Sequence, residues 1–498
     1  QEGGLGASNV GASKGGNPMR FHRILVAGAL LVGVLPRAGS ATTLPAWPVY
    51  GHDISNTRHQ TDSSIDASNV ATLKKRWFFS TGADVTGTPI VAEGKVFIGD
   101  TLGDFFAIDA ASGTQLWKRT LSGPVFSTAA YDGGKVFVGD NLNELWAFNA
   151  ADGSDAWAVD PVQVETDPNL APYAQYWGSP VPFDGGIYVG LSGEDKELAV
   201  SANRKVWRGS VNGIDEQTGQ VLFHTHTVRL DCAPSVTDCN GGSVWATPAI
   251  DPVRRLAYFG VGNAYDAPAA DTTDSIVAVD IDARSSTFGS IVKTHQFTSG
   301  DYWSHSLQGA LSGNPDWDFG SSPVLFDEDG HALLAEGQKS GDFRVVDRDS
   351  LDEQWEAHFG GGRSGGFAGG ILASPAFDGS TFYIGTSDDV VDSPVVPTVS
   401  KQVALSTSDH AVRWTNYTPV WAWSAPAYAN GLVFAGETEG EVLALDATSG
   451  LPLWASDNTG GIIASGPSVA GDAVYIGTAC CGGASSSSGV WSFGLPGV

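Results

Sequence analysis

Short runs of alternating apolar and polar residues, separated by turns rich in Gly, recur along almost the whole chain. Strands such as KVFIGD (95–100) and KVFVGD (135–140) precede a second strand that ends in a turn residue, usually Asp, with a large aromatic residue eight positions later. The copies include FFAIDAASGTQLW (105–117), LWAFNAADGSDAW (145–157) and VLALDATSGLPLW (442–454). Alternation with a period of two, regular turns and almost no helical periodicity predict four short antiparallel strands per repeat. This is the unit of a β-propeller blade.

Seven copies of the repeat are complete, and an eighth is divided between the two ends of the chain. GVWSFGLPG (489–497) supplies an inner strand without an outer aromatic residue, and LKKRWFFSTG (73–82) supplies an outer strand that contains Trp77. Joining the two in one blade closes the ring and removes exposed sheet edges. The sequence therefore predicts an all-β, eight-bladed propeller closed by its N- and C-terminal strands.

The spacing of the repeats indicates where a functional site would lie. Successive turn positions are 40 residues apart at Asp109–Asn149 and Ser406–Asp446, but 59 to 67 apart through blades three to six. The longer blades contain insertions at 161–176, 195–207, 230–244, 264–275 and 298–316. Long loops on a rigid scaffold are where binding and catalytic sites are usually built.

The N-terminal region has the pattern of an exported protein. Residues 19–41 combine a basic start, a short apolar stretch and small residues, which is the layout of a secretory signal peptide. We therefore expect residues 1–18 to lie upstream of the natural start, residues 42–498 to form a single propeller domain, and the protein to be periplasmic or secreted. The formal charge of −28 argues against nucleic acid as a partner, and no later apolar segment is long enough to span a membrane.

Four cysteines fit an oxidising compartment. Cys232 and Cys239 are able to close a small loop, while Cys480 and Cys481 are adjacent and suit a vicinal disulfide. Metal binding by these four is the weaker interpretation, because no C-x-x-C pair or nearby His completes a site. No C-x-x-C-H motif occurs, so no c-type haem is expected in this chain.

Seven motifs resemble those of the pyrroloquinoline-quinone (PQQ) dependent alcohol dehydrogenases, and within them the polyvinyl alcohol dehydrogenase-like branch. They are WPVYGHDISNTRHQ (47–60), NVATLKKRWFFSTG (69–82), RGSVNGIDEQTG (208–219), WATPAIDP (245–252), GVGNAYD (260–266), DWDFGSSPVLF (316–326) and GQKSGDFRVVD (337–347). The resemblance covers nearly the whole mature chain. It implies a quinoprotein alcohol dehydrogenase-like propeller that binds PQQ and calcium.

The resemblance implies two catalytic residues. Asp318 matches the acid that takes the alcohol proton while hydride passes to the quinone, and Trp317 and Phe319 flank it, as suits a base shielded from bulk water. Lys339 matches the Arg or Lys that polarises the reacting carbonyl and stabilises the developing oxyanion. The alternatives are an Asp that caps the turn into a strand and an ordinary solvated Lys.

The implied calcium ligands are Asn263, Asp318 and a carboxylate near the end of YVGLSGEDKE. Calcium is a hard cation that binds oxygen ligands. The family's Glu falls on Asp195 by an ungapped count, but Glu194 is adjacent and Glu197 lies close, so the Glu194/Asp195 pair is the expected ligand source. Relatives that use lanthanides have a second Asp two residues after the catalytic one, where this chain has Gly320.

Three further residues are expected to contact the cofactor. Trp245 matches the aromatic residue on which the planar quinone stacks, although core packing is an equally good account of a Trp in a propeller. Ser192 lies two residues before Glu194. Trp177 stands where related enzymes often have Thr, and this difference bears on how the cofactor carboxylates are held.

The leading functional hypothesis is a secreted PQQ- and calcium-dependent alcohol dehydrogenase. It would oxidise an alcohol, such as polyvinyl alcohol or another polymeric or secondary alcohol, and pass electrons to a separate soluble cytochrome c. The alternative is a non-catalytic propeller of PQQ-like repeats that acts as a binding or assembly scaffold. A carbohydrate-processing propeller is a third interpretation, indicated only by the acidic loop 194–197.

Overall fold

The computed structural model describes residues 46–164, 175–193, 208–228, 240–265, 267–303, 316–360, 369–388, 399–418, 422–480 and 486–497. Almost all regular structure in these ranges is β-strand, and the strands form eight sheets, each with four antiparallel strands. The first strands of neighbouring sheets contact one another, including the first strand of blade 1 with that of blade 8. The prediction of an all-β, eight-bladed propeller is therefore confirmed.

In each blade the first strand lies nearest the axis and the fourth strand lies outermost. Blade 1 contains Ile90–Ala92, Lys95–Gly99, Asp104–Asp109 and Gln115–Thr120. Blade 2 contains Ala130–Asp132, Lys135–Gly139, Leu145–Asn149 and Asp155–Val159. Blade 3 contains Val181–Phe183, Gly186–Leu191, Ser210–Asp215 and Val221–His226. Blade 4 contains Ala249–Asp251, Leu256–Val261, Ser275–Asp280 and Ile291–Gln296.

The second half of the ring is built in the same way. Blade 5 contains Val324–Glu328, His331–Gly337, Asp342–Asp347 and Glu353–His358. Blade 6 contains Ala376–Phe377, Thr381–Asp388, Val399–Ser406 and Val412–Thr418. Blade 7 contains Ala427–Ala429, Leu432–Gly436, Val442–Asp446 and Pro452–Ala455, with His59–Gln60 added in parallel to its first strand. Blade 8 contains Ser468–Ala470, Ala473–Thr478, Gly489–Gly494 and Lys74–Ser80. Short 3-10 helices occupy Val70–Thr72 and Pro161–Val164.

Blade 8 closes the ring with strands from both ends of the domain. Lys74–Ser80 is the outermost strand and pairs antiparallel with Gly489–Gly494, from Lys74 opposite Gly494 to Ser80 opposite Gly489. All four strands of blade 8 are therefore paired in one sheet that contains both ends of the domain, and the predicted closure of the ring is confirmed. Among the described residues, no helix has the length and apolar character needed to cross a membrane.

Tryptophans on the outer strands of blades 1, 2, 6, 7 and 8 join each of these blades to the next. The indole Nε1 of Trp117 in blade 1 donates to the carbonyl of Ala150 in blade 2 at 3.2 Å, and the indole lies against Gly153 of the same turn. A Cβ on Gly153 would come within 2.7 Å of the Trp117 ring. Equivalent contacts of Trp77, Trp157, Trp414 and Trp454 repeat around the ring. The recurring aromatic and Gly of the sequence repeat are therefore two halves of one interblade contact.

Residues 47–60, called here the strap, cross the inner strands of the ring. Strap carbonyls accept backbone N–H groups from blades 2, 4, 5, 6 and 7, Trp47 pairs with Val91 of blade 1, and Gln60 donates to Val469 of blade 8. Asn56 donates to three carbonyls of blades 4 and 5, at Thr247, Pro248 and Pro323. The motif WPVYGHDISNTRHQ is thus a structural element that ties the blades together at the axis.

Hydroxyl groups link blades 1 to 6 around the axis. The residue two positions before the first strand is Ser or Thr in all six of these blades, and in blades 2 to 6 its side-chain oxygen accepts the backbone N–H of the equivalent residue in the preceding blade at 2.8–3.1 Å. Blades 7 and 8 have Ala425 and Gly466 at this position, and neither residue has a side-chain hydroxyl group. The buried guanidinium of Arg58 supplies hydrogen bonds to these two blades instead. Arg58 donates to the carbonyls of Tyr50, Ala425, Pro426 and Pro467.

Candidate functional site

A cavity of about 380 Å³ lies on the propeller axis beside the strap. Its wall comes from two kinds of loop, those joining the second and third strands of a blade and those entering a blade from its predecessor. Antiparallel connectivity brings both kinds to the same end of the ring. Tyr50 of the strap lies at the inner end. The six described residues predicted to bind cofactor, metal or substrate all line this cavity: Trp177, Ser192, Trp245, Asn263, Asp318 and Lys339.

Asp318 is buried in the loop that enters blade 5, with 4% of its surface exposed. One carboxylate oxygen, Oδ1, accepts the backbone N–H of Asn263 at 2.5 Å, and the other, Oδ2, accepts from Nζ of Lys339 at 2.7 Å. Both donors are remote from Asp318 in sequence. These contacts give no support to the alternative that Asp318 only caps its own turn.

Lys339 is not a solvated surface residue, because only 3% of its surface is exposed. It lies on the hairpin between the second and third strands of blade 5, and its backbone N–H donates to the carbonyl of Asp318 at 2.9 Å. Its Nζ atom contacts both oxygens of Asp316, at 3.0 and 3.1 Å, as well as Asp318. Nζ also lies 4.6 Å from the centre of the Trp245 ring, within cation–π range.

Asn263 follows the second strand of blade 4. Its Nδ2 donates to the carbonyls of Ala264 and Trp303, both at 2.9 Å. With both amide hydrogens used in this way, Oδ1 is the side-chain atom suited to accept a hydrogen bond or to bind a cation. Gly262 allows the close approach of Asp318, since a Cβ at this position would lie 2.6 Å from Oδ1 of Asp318. This explains the Gly in the motif GVGNAYD.

Asp316 and Asp318 contact the Lys339 ammonium, and two further buried carboxyl groups, Asp301 and Asp274, belong to the same electrostatic cluster. Burial raises the pKa of Asp301 to about 7. Burial, with the charges of Asp301 and Asp318, raises the pKa of Asp274 well above its ordinary range. Burial also raises the pKa of Asp316, and the Lys339 ammonium opposes that rise. Asp274 and Asp301 are therefore the members of the cluster that tend to hold a proton near neutral pH, which reduces repulsion around Asp318, whereas contact of both Asp316 oxygens with the Lys339 ammonium favours the ionised form of Asp316.

Aromatic side chains form much of the remaining cavity wall. Trp245 lies beneath the Lys339 ammonium. Trp177 stacks on Phe126 with a 4.8 Å separation of the ring centres and an 18° angle between the planes, and its Nε1 donates to Gln175 at 2.9 Å. Two fixed indole faces on one cavity suit a flat conjugated ligand. The core-packing alternative for Trp245 does not account for its place on the cavity wall.

The predicted carboxylate ligands of calcium, Glu194 and Asp195, lie outside the described residues, as does Glu197. Among the residues that the structure describes, no three His, Cys, Asp or Glu side chains are grouped as a metal site. Asn263 and Asp318 are therefore the two predicted ligands whose positions are known. Cys480 lines the cavity, whereas Cys232, Cys239 and Cys481 lie outside the described residues.

Sequence reasoning missed Asp316 and Asp301. Asp316 and Asp318 are two positions apart, and in an extended segment such residues project to the same side. The spacing D-W-D was thus a signal for two carboxylates facing one cation. No sequence pattern indicates Asp301, because only folding brings it next to the site. There its Oδ2 accepts the backbone N–H of Trp317 at 2.9 Å.

Comparisons with known proteins show which family this chain belongs to and which proteins it is similar to. The PQQ_2 family model, whose description is outer membrane protein assembly factor BamB, matches residues 61–251 and 339–490. A polyvinylalcohol dehydrogenase of Sphingopyxis sp. (strain 113P3) is 26% identical over 89% of this chain and 74% of its own length. One from Pseudomonas sp. is 25% identical over 87% of this chain and 73% of its own.

A solved structure has the same fold. The quinohemoprotein alcohol dehydrogenase from Comamonas testosteroni superposes with a TM-score of 0.75, covering 91% of this chain and 81% of its own, at 19% sequence identity. At this identity the likeness concerns the propeller fold alone.

Proposed function

The chain belongs to the PQQ_2 family and its relatives over most of its length are alcohol dehydrogenases, and from this premise we propose that it is a PQQ- and calcium-dependent alcohol dehydrogenase. The observation that supports this most is the contact between Asp318 and Lys339 on the wall of an axial cavity. A carboxylate and an ammonium group held 2.7 Å apart, away from bulk water, are the base and the cationic stabiliser that alcohol oxidation requires.

The cavity fits a planar, anionic quinone. Its volume suits a small cofactor, Trp245 and Trp177 offer flat faces, and Ser192 and Ser243 add hydroxyl groups to the wall. Lys339 supplies positive charge at the same wall. When bound, PQQ would accept hydride from the alcohol carbon.

The chain's own residues would handle the proton and the charge. Asp318 would accept the hydroxyl proton, because a buried carboxylate close to the reacting oxygen acts as a general base. Lys339 would donate a hydrogen bond where negative charge develops on oxygen, and the Trp245 ring beneath it restricts its movement. The strap and the inner strands exclude water from the inner end of the cavity.

Calcium would bind between the same loops. Oδ1 of Asn263 and the carboxylate of Asp318 are hard oxygen donors of the type that calcium prefers. We propose that Glu194 or Asp195 completes the site, since they follow Ser192, a residue of the cavity wall, closely in the sequence. A bound cation would also balance the carboxyl groups around Lys339.

The remaining parts of the proposal follow from the sequence. The substrate would be an alcohol, with a polymeric or secondary alcohol favoured because two of the relatives are polyvinylalcohol dehydrogenases. Electrons would pass to a separate soluble cytochrome c, and a signal peptide at residues 19–41 would direct the protein to the periplasm or outside the cell. Cys480, which has no free thiol, would pair with Cys481 beside the cavity.

The proposal is tested by reconstituting the purified protein with PQQ and calcium and measuring dye reduction with a panel of alcohols that includes polyvinyl alcohol. We expect PQQ binding only when a divalent cation is present. Equal binding with and without a chelator contradicts the calcium assignment. No quinone binding under any condition would favour the non-catalytic scaffold.

Asp318→Asn separates catalysis from folding. The neighbours of this side chain, Asn263 N–H and Lys339 Nζ, are both donors, so the amide of Asn places its own N–H₂ against one of them. We expect a stability loss of about 1–3 kcal/mol, retained PQQ absorbance, and a fall of roughly 100-fold in alcohol oxidation. Lys339→Ala should lower turnover more than it weakens PQQ binding. Near-normal turnover of Asp318→Asn refutes the assignment of the base.

Asp251→Asn is the matched control for both variants. Asp251 is also buried and accepts from Arg348 at 3.0 Å, but it does not line the cavity. Its replacement should lower stability without changing the turnover of the folded protein.

A further inference from the structure

We propose that Asp316 is a positioning residue that holds the Lys339 ammonium against Asp318 at the cavity wall. The proposal rests on the alcohol dehydrogenase function proposed above and extends it to a residue outside the cavity. Asp316 is not among the residues that line the cavity, and its side chain is fully buried. It therefore acts through Lys339 and not by touching substrate or cofactor.

The geometry assigns Asp316 this role. Nζ of Lys339 lies 3.0 Å from Oδ1 and 3.1 Å from Oδ2 of Asp316, and 2.7 Å from Oδ2 of Asp318. Contact with both oxygens of one carboxyl group is the arrangement of an ionised acceptor. The ammonium is thus held from two sides, over the ring of Trp245.

The loop that contains the two carboxylates is itself fixed. The backbone N–H of Trp317 donates to Asp301 at 2.9 Å, and its carbonyl accepts from Nε2 of Gln338 at 2.6 Å. Trp317 is held at both peptide groups, so Asp316 and Asp318 keep their common direction toward Lys339. Asp301 and Gln338 support the pair without contacting Nζ.

Positioning has a physical purpose in this site. A Lys side chain has four rotatable carbon–carbon bonds and loses rotamer entropy when it is fixed in one position. Of the described carboxylates in contact with Nζ, Asp318 alone would remain without Asp316, and Lys339 would then be held there by the same group that must accept the proton. A second carboxylate keeps the ammonium in place while Asp318 changes its protonation state.

The first measurement uses the protein without PQQ. Asp316→Asn keeps the shape of the side chain but removes its charge, so the Lys339 ammonium should become more mobile and more reactive. We expect acetic anhydride to label Lys339 at least about fivefold faster in Asp316→Asn than in the unmodified protein, as measured by peptide mass spectrometry. Asp251→Asn, which breaks a buried pair remote from the cavity, should leave the labelling of Lys339 unchanged.

The second measurement uses the protein reconstituted with PQQ and calcium. Asp316→Asn should lower kcat about tenfold, while KM for the alcohol and the affinity for PQQ change less than threefold, because a displaced ammonium weakens an interaction made in the transition state. Asp316→Glu, which restores the charge, should recover part of the turnover and most of the protection of Lys339.

The outcomes separate the two proposals. Unchanged labelling of Lys339 in a folded Asp316→Asn protein overturns the positioning role, and so does a loss of kcat no larger than that of Asp251→Asn. If Asp316→Asn fails to fold, Asp316→Glu decides: protected Lys339 supports the role and exposed Lys339 overturns it. Altered labelling in a protein that oxidises no alcohol would leave the positioning contact standing and refute the proposed function.

Discussion

Arg58→Met is expected to destabilise the propeller at the strap, because Arg58 is the buried cation that joins blades 7 and 8. Its guanidinium donates to four carbonyls, at 2.6 Å to Tyr50, 2.7 Å to Pro426, 3.0 Å to Pro467 and 3.2 Å to Ala425. Burial lowers the pKa of Arg58 to about 10, so the side chain is still protonated at neutral pH.

The size of the effect follows from the acceptors that the variant leaves without a donor. Each unsatisfied buried carbonyl costs about 1 kcal/mol, and removing a desolvated charge offsets part of this, so the net loss is roughly 3 kcal/mol. In a domain of this length that loss lowers the melting temperature by about 3 °C. Differential scanning calorimetry at several scan rates measures it and also shows whether unfolding is reversible.

Arg119→Met is the matched control. Arg119 pairs with Asp155 at the surface, where both side chains are largely exposed, and such pairs contribute little to stability. A melting temperature of Arg58→Met equal to that of Arg119→Met would show that the four carbonyls find other donors, and would refute the proposed role of the strap.

Three further variants test other contacts. Gly153→Ala should lower the free energy of unfolding by roughly 2–3 kcal/mol in urea denaturation, because Ala is strained at a φ of +72° and its methyl group crowds Trp117. The control Gly134→Ala has a similar φ of +85° but open space around it, so it should lower that free energy by only about 1–2 kcal/mol. Equal losses in the two variants would refute the interblade contact. Burial and the charges of Glu441 and Glu439 raise the pKa of Glu437 to about 7. A carboxyl group whose pKa is higher in the folded than in the unfolded state stabilises the fold at low pH, and this contribution is lost as the pH rises toward 7. Glu437→Gln should therefore gain melting temperature relative to the unmodified protein between pH 5 and 8, and a constant difference would refute this. Trp245→Ala should weaken PQQ binding at least about tenfold in absorbance titrations, and unchanged affinity would return Trp245 to a packing role.

The fold could be predicted from the sequence because the interblade contacts repeat. Four outer Trp residues pack against a turn Gly in the next blade, as Trp117 does against Gly153, and this pairing imposes a visible period on the chain. The divided eighth copy was equally visible, since Trp77 lacked an inner strand and 489–497 lacked an outer one. Closure by Lys74–Ser80 was the arrangement that satisfied both.

The site was predicted only in part. Residues within local motifs, such as Asn263 and Lys339, were found because their neighbours constrain the backbone around them. Asp301 was not found, because its contact with the backbone of Trp317 joins segments that are adjacent only in the folded ring. The strap motif is visible in the sequence, but its contacts with seven blades depend on tertiary packing, which no local sequence pattern predicts.

The strap also limits how a long molecule can approach the cavity. Residues 47–60 lie against the inner strands of seven blades beside the cavity, so the strap stands in the way of a polymer threaded along the axis from one face to the other. A hydroxyl group on such a chain reaches Asp318 only if the chain bends toward the open end or presents its terminus there. Each oxidation would then be a separate docking event, and successive positions along the polymer would be attacked in a distributive manner.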